Sequence, residues 1–108
     1  MTGADTQRIR QLNDQARQTL TGCRVLITPG VGALDATPAI LGVVQQYSEF
    51  TPDNDPYAEH DFGSFRFQDE TIFWKFDYYD LDFSMHSPDA ADPDFTARVL
   101  TVLLGSEY

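Results

Sequence analysis

Between Ser64 and His86 the side chains alternate between apolar and polar for most of the stretch, and that period of two constrains the fold more than any other feature. Phe65 and Phe67 alternate with Ser64, Arg66 and Gln68. Beyond a turn at Asp69-Glu70, Ile72, Trp74, Phe76 and Tyr78 alternate with Phe73, Lys75 and Asp77. Beyond Tyr79-Asp80, Leu81, Phe83 and Met85 alternate with Asp82, Ser84 and His86. The pattern predicts a three-stranded antiparallel meander with one aromatic core face. Counting outward from tight turns sets Phe67 opposite Ile72 and Phe65 opposite Trp74. Across the second turn it sets Tyr78 opposite Leu81, Phe76 opposite Phe83 and Trp74 opposite Met85. The same count places Asp77 opposite Asp82 on the outer face, with Asp80 at the turn. Facing like charges weaken a sheet, so the site is either solvated or holds a cation: a metal, Lys75, Arg66 or a partner's basic side chain. Phe62, Phe73 and Tyr79 share that outer face, and either a helix covers them or they form an interface.

The remaining elements follow from local signals. Residues 6–20 read as an amphipathic helix with Ile9, Leu12, Ala16 and Leu20 on one stripe, Thr6 as cap and Gly22 as stop. Arg24 to Thr28 suits a buried strand, ended by Pro29 and Gly30. A second helix is expected from Thr37, with Pro38 at its first position and Ile40, Leu41, Val44 and Tyr47 inward. Residues 51–61 form a loop rich in turn formers. A last helix is expected from Asp92, with Pro93 first and Phe95, Val99, Val102 and Leu103 inward. The expected fold is α+β, one domain over residues 1–108, in the order α-β-α-β-β-β-α. Its sheet is mostly antiparallel with three or four strands, and its three helices lie on one face.

Charge narrows the function. The chain carries −10 overall. Residues 1–48 are nearly neutral, whereas residues 49–108 set fourteen carboxylates against Arg66, Lys75 and Arg98. A surface of that sign disfavours direct binding to nucleic acid or anionic lipid and favours a basic protein partner. Cys23 is the only cysteine, so no internal disulfide forms. Residues 1–18 lack the apolar run of a signal peptide, and no apolar stretch reaches membrane-spanning length, so a cytoplasmic location is expected.

The run Asn54-Asp55-Pro56-Tyr57-Ala58-Glu59-His60-Asp61-Phe62-Gly63 resembles the signature Asn-Asp-Pro-Tyr-Gly-Glu-His-Asp-Phe-Gly of a family of small bacterial proteins catalogued as a domain of unknown function. Trp74 to Asp80, Arg98 to Thr101 and Ser106 to Tyr108 are similar to the family as well. The resemblance implies proteobacterial origin and frequent carriage on mobile elements, with no activity attached. Ala58 stands where the signature has Gly. A positive φ at that position would strain Ala58.

Two chemistries can be weighed. Asp53, Asp55, Glu59, His60 and Asp61 form the densest polar cluster. They could hold an oxygen-preferring metal in a small metal-dependent enzyme or regulator, although the spacing is not that of an EF-hand. Otherwise Asp53 and Asp55 close Asx-turns and His60 orders its neighbours. Glu59 with His60, or Asp82 with His86, could supply acid–base groups, but an extended backbone would splay the first pair. No nucleophile or phosphate-loop motif is present, and Cys23 reads as an inert small hydrophobe. The favoured expectation is a non-enzymatic inhibitor without cofactor, monomeric or homodimeric. It would dock on the basic surface of a nucleic-acid-binding host protein through Asp53, Asp55, Glu59, Asp61, Asp77, Asp80 and Asp82. Mobile-element carriage makes a CRISPR or restriction complex the expected target.

Overall fold

A computed structural model describes residues 4–108. The chain forms α1 (Ala4–Thr19), β1 (Arg24–Ile27), the one-turn α2 (Pro29–Gly32), α3 (Thr37–Gln46), β2 (Phe62–Phe67), β3 (Glu70–Tyr79), β4 (Ala97–Leu104) and a closing 3-10 turn, Gly105–Glu107. The four strands make one sheet in the order β1-β4-β3-β2. β1 runs parallel to β4, while β4, β3 and β2 are mutually antiparallel. The class is therefore α+β and the order is the expected one, counting α2 and α3 as one broken helical segment. The sheet is mixed rather than purely antiparallel.

The identity of the last two elements differs from expectation. Residues 81–86 form no strand; a single bridge joins Tyr79 to His86. Two physical causes act together. β2 pairs with β3 from Glu70 to Lys75 and β4 takes the other edge from Ile72 to Tyr79, so the edge left to a third hairpin strand is only the short end of β3 beyond Lys75. In addition, the Asp80 carboxylate accepts hydrogen bonds from Ser84 N (3.0 Å), Ser84 Oγ (3.2 Å) and Met85 N (3.4 Å), which coils the segment into a loop. Leu81, Phe83 and Met85 are consequently exposed, and Asp77 lies opposite Val99 instead of Asp82.

Residues 97–104 form the central strand β4 instead of a helix. Ala-Arg-Val-Leu-Thr-Val-Leu-Leu is a nearly continuous apolar run, buried on both faces. That is the signature of a strand with neighbours on either side. The capping chemistry of Asp92 is real but closes turns: its carboxylate accepts from Asp94 N (2.9 Å) and its carbonyl from Phe95 N (3.1 Å). Phe95, expected inside, is exposed.

Smaller corrections follow the same logic. The β2–β3 turn is Gln68-Asp69, both at positive φ, one residue earlier than expected. The register shifts by two, pairing Phe65 with Ile72 and Gly63 with Trp74, and so keeps every side chain on its predicted face. Gly63 is required there, because a Cβ would stand 2.6 Å from Trp74 Cε2. β1 is an edge strand, so Leu26 is 47% exposed rather than buried. Thr6 lies inside α1 instead of capping it, and α1 ends with Leu20 in the left-handed region before Gly22 also adopts positive φ.

Ala16 of α1, Val31 of α2, and Ile40 and Val44 of α3 join Ile72, Trp74, Phe76, Leu100 and Val102 in one core. All three helices therefore share one face of the sheet. α1, α2 and α3 leave the other face, with Leu26, Phe73, Lys75, Asp77, Tyr79, Val99, Thr101 and Leu103. That face is partly covered: Val99 and Leu103 are 4% and 5% exposed, and Tyr108 packs edge-on against Phe62 and Phe73.

Candidate functional site

Helix α1 docks through polar side chains. Asn13 and Arg17 are buried one turn apart, and that spacing puts them on one face. Arg17 Nη1 donates to the carbonyls of Val44 (3.0 Å), Gln45 (3.2 Å) and Tyr47 (2.9 Å), the open end of α3. Its Nη2 pairs with Asp14 at 3.1 Å. Asn13 Nδ2 donates to the Glu59 carbonyl (3.0 Å) and to the Tyr78 hydroxyl (2.8 Å), which in turn donates to Glu59 Oε1 (3.1 Å). Asn13 Oδ1 accepts from Arg98 Nε at 2.8 Å.

These groups hold the acidic loop. Asp55 is 8% exposed and accepts from His60 N at 3.2 Å. Asn54, rather than Asp53, ties Thr51 to Glu49. His60 stacks flat on Phe50, with ring centroids 3.7 Å apart. Its Nδ1 meets Asp14 at 2.8 Å and its Nε2 lies 3.6 Å from Asp55. Ala58 and His60 both take positive φ. The backbone is thus coiled, not extended, and Glu59 and His60 turn toward different partners. Among the described residues no three His, Cys, Asp or Glu side chains converge as metal ligands.

The seven carboxylates expected at an interface separate by role. Asp55 and Glu59 are engaged inside the loop. Burial pushes the Glu59 carboxyl above its ordinary range, against the Tyr78 hydrogen bond. Asp61 is raised too, by burial and then by Asp55 and Asp77. Burial likewise raises the Tyr78 phenol well above its ordinary range. Asp77 pairs with Lys75 at 3.0 Å, fulfilling one of the cation options read from the sequence. Asp80 is held low by the Ser84 backbone N–H. Asp53 and Asp82 are exposed. Asp82 and His86 sit in the exposed loop, where His86 Nδ1 lies 3.0 Å from the Ser87 carbonyl and not on Asp82. Cys23 is half-buried, and burial raises its thiol, as an inert packing residue requires.

Asp77, Lys75 and Tyr79 share a shallow groove of about 360 Å³ on the sheet face opposite the helices with Arg24, Leu26 and Phe83. Phe83 reaches it because the Asp80 loop folds back, and Arg24 lies over its ring at 4.5 Å.

A family model described as "Protein of unknown function (DUF3768)" matches residues 27–107. The chain belongs to this family. The DUF3768 match spans α2 to β4 and the whole acidic loop, and begins after α1. No curated protein and no solved structure matches the chain. No helix among the described residues is long and apolar enough to cross a membrane.

Sequence reasoning missed Asn13, Arg17, Tyr78 and Arg98. The i, i+4 pair on the weak apolar stripe of α1 was the available signal for the first two.

Two outcomes are expected. Ala58, at φ +56°, occupies a conformation that costs a residue with a Cβ about 1 kcal/mol. Ala58→Gly is therefore expected to raise the urea midpoint; an unchanged or lower midpoint would contradict the strain. Glu59 and Asp61 bind protons more tightly folded than unfolded. Their contribution to stability rises as pH falls through their raised folded pKa and levels off at the ordinary carboxylate value. Below that range Asp80 and Glu107, both held low by hydrogen bonds, lose stabilisation. Urea unfolding at about pH 7 and about pH 5 should show greater stability at the lower pH. Glu59→Gln should shrink the difference, and equal midpoints in the parent protein would refute the assignment.

Proposed function

We propose that this domain is a non-catalytic protein-binding module whose acidic, partly apolar sheet face occupies a basic nucleic-acid-binding surface on a host protein. The observation that carries the reading is the groove on the sheet face opposite α1, α2 and α3, between β1 and the Asp80 loop. Leu26, Tyr79 and Phe83 stand exposed there; Asp77 lines the groove beside Lys75 and Arg24, and the loop that carries Phe83 also carries Asp80 and Asp82. Apolar anchors ringed by charge are what a desolvated interface core and its polar rim require. Asp77, Asp80 and Asp82 are the contact acids in this reading, with Asp53 and Asp61 at the neighbouring loop. Asp55 and Glu59 support the loop from within.

The net charge of −10 accelerates encounter with a positive partner and opposes self-association through the same face. The mobile-element carriage that the sequence resemblance implies favours a bacterial defence complex, a CRISPR effector or a restriction enzyme, as the host target. Carboxylates in place of phosphates would then block nucleic acid from its channel.

Capture from bacterial lysate on the immobilised protein tests this. Retained proteins should be nucleic-acid binders, should elute with heparin, and should be lost as ionic strength passes about 0.1 M. The double variant Asp77→Asn with Asp82→Lys should retain them at least about tenfold less. Capture that resists heparin and is untouched by the double variant would overturn the proposal.

A further inference from the structure

Arg98 is 5% exposed at the start of β4, yet no carboxylate lies within ion-pair distance of it among the described residues. Its Nε donates to Asn13 Oδ1, its Nη2 donates to the Ala90 carbonyl, and its guanidinium lies over the Tyr78 ring at 5.2 Å. All three partners are neutral. Nη1 has no hydrogen-bond partner among the described residues and is not one of the buried unpartnered atoms, so this edge keeps contact with solvent. Glu59 acts on it only through space. Burying a cation without a hydrogen-bonded counter-ion is costly, so buried charges are normally paired.

Arg98 lines a cavity of about 270 Å³ between α1 and the turn that precedes β4. Its other walls include Leu12 and Pro93, which are apolar, and Gln15, Thr21 and Thr96, which are polar. Burial lowers the basicity of Arg98, and the nearby positive charge of Arg8 lowers it further. Arg98 is the one charged side chain in the lining of this pocket, which lies on the helix side of the sheet.

The geometry points to a binding site for a small aliphatic monocarboxylate, its carboxylate on the free edge of Arg98 and its chain against Leu12 and Pro93. The planar guanidinium suits a carboxylate. The apolar walls give a short hydrocarbon chain more contact than a compact oxyanion would have. The site is independent of the docking face and stands or falls separately from it.

Titration of the full chain with sodium butyrate, followed by backbone amide NMR, tests the assignment. Amides of Thr21, Gly22 and Thr96 should shift saturably, and n-butanol should leave them unmoved. Gln15→Glu changes an exposed side chain and brings a negative charge to the cavity wall. It should weaken butyrate binding at least about tenfold with the remaining spectrum unchanged. Arg98→Lys, wherever its spectrum shows it folded, should lose binding. No saturation with butyrate, equal shifts with n-butanol, or saturation by inorganic phosphate alone would overturn the proposal.

Discussion

The Arg17 guanidinium, sealed against the carbonyl end of α3, is the contact on which the rest of the structure depends. Three carbonyls at that end converge on one side-chain nitrogen, and the negative pole of a helix favours a cation there. Phe50 and Trp74 each present a ring within 5.5 Å of the guanidinium. The core therefore closes around a charge as well as around Ala16 and Leu20 of the apolar stripe on α1. Ile9 and Leu12, expected to bury that helix, are only partly covered, while Asn13 and Arg17 are fully enclosed.

From this latch the acidic loop takes its shape. α3 ends where Arg17 holds it, Phe50 follows at once, and His60 stacks on Phe50 while Asp14 reaches both Arg17 and His60. Asn13 meanwhile joins the loop to β3 and β4 through Tyr78 and Arg98. One turn of α1 thus fixes the loop, the end of α3 and two strands. Glu107 does similar work at the far end, accepting from Thr28 Oγ1, Gly30 N and Leu104 N. With the helices drawn to one side, the opposite sheet face keeps a groove lined by Leu26, Lys75, Asp77, Tyr79 and Phe83.

Much of the fold was legible because periodicity reports burial. The β2–β3 hairpin and α3 follow directly from it, and a two-residue register slip left the faces intact. The third alternating run failed for a reason no local pattern contains: β2 and β4 leave it only the short end of β3 beyond Lys75, where a single Tyr79–His86 bridge forms. β4 was misread because Asp92-Pro93-Asp94 carries helix-start chemistry, and Val99, Val102 and Leu103 fit a helical spacing as well as a buried strand. Strand partners decided between the two. At the candidate site the acidic loop and the outer-face aromatics were visible in the sequence. The withdrawal of Asp55 and Glu59 into hydrogen bonds was not, since it depends on Asn13, Arg17 and Tyr78 meeting them from remote elements.

The account rests on a polar latch holding α1, and equilibrium unfolding of Arg17→Met tests it most directly. Methionine keeps much of the length and apolar contact but removes the donors and the charge. The latch predicts a loss of about 3 kcal/mol, larger than the loss from Leu12→Ala on the supposed apolar stripe. An Arg17→Met protein as stable as its parent, or more stable, would contradict it.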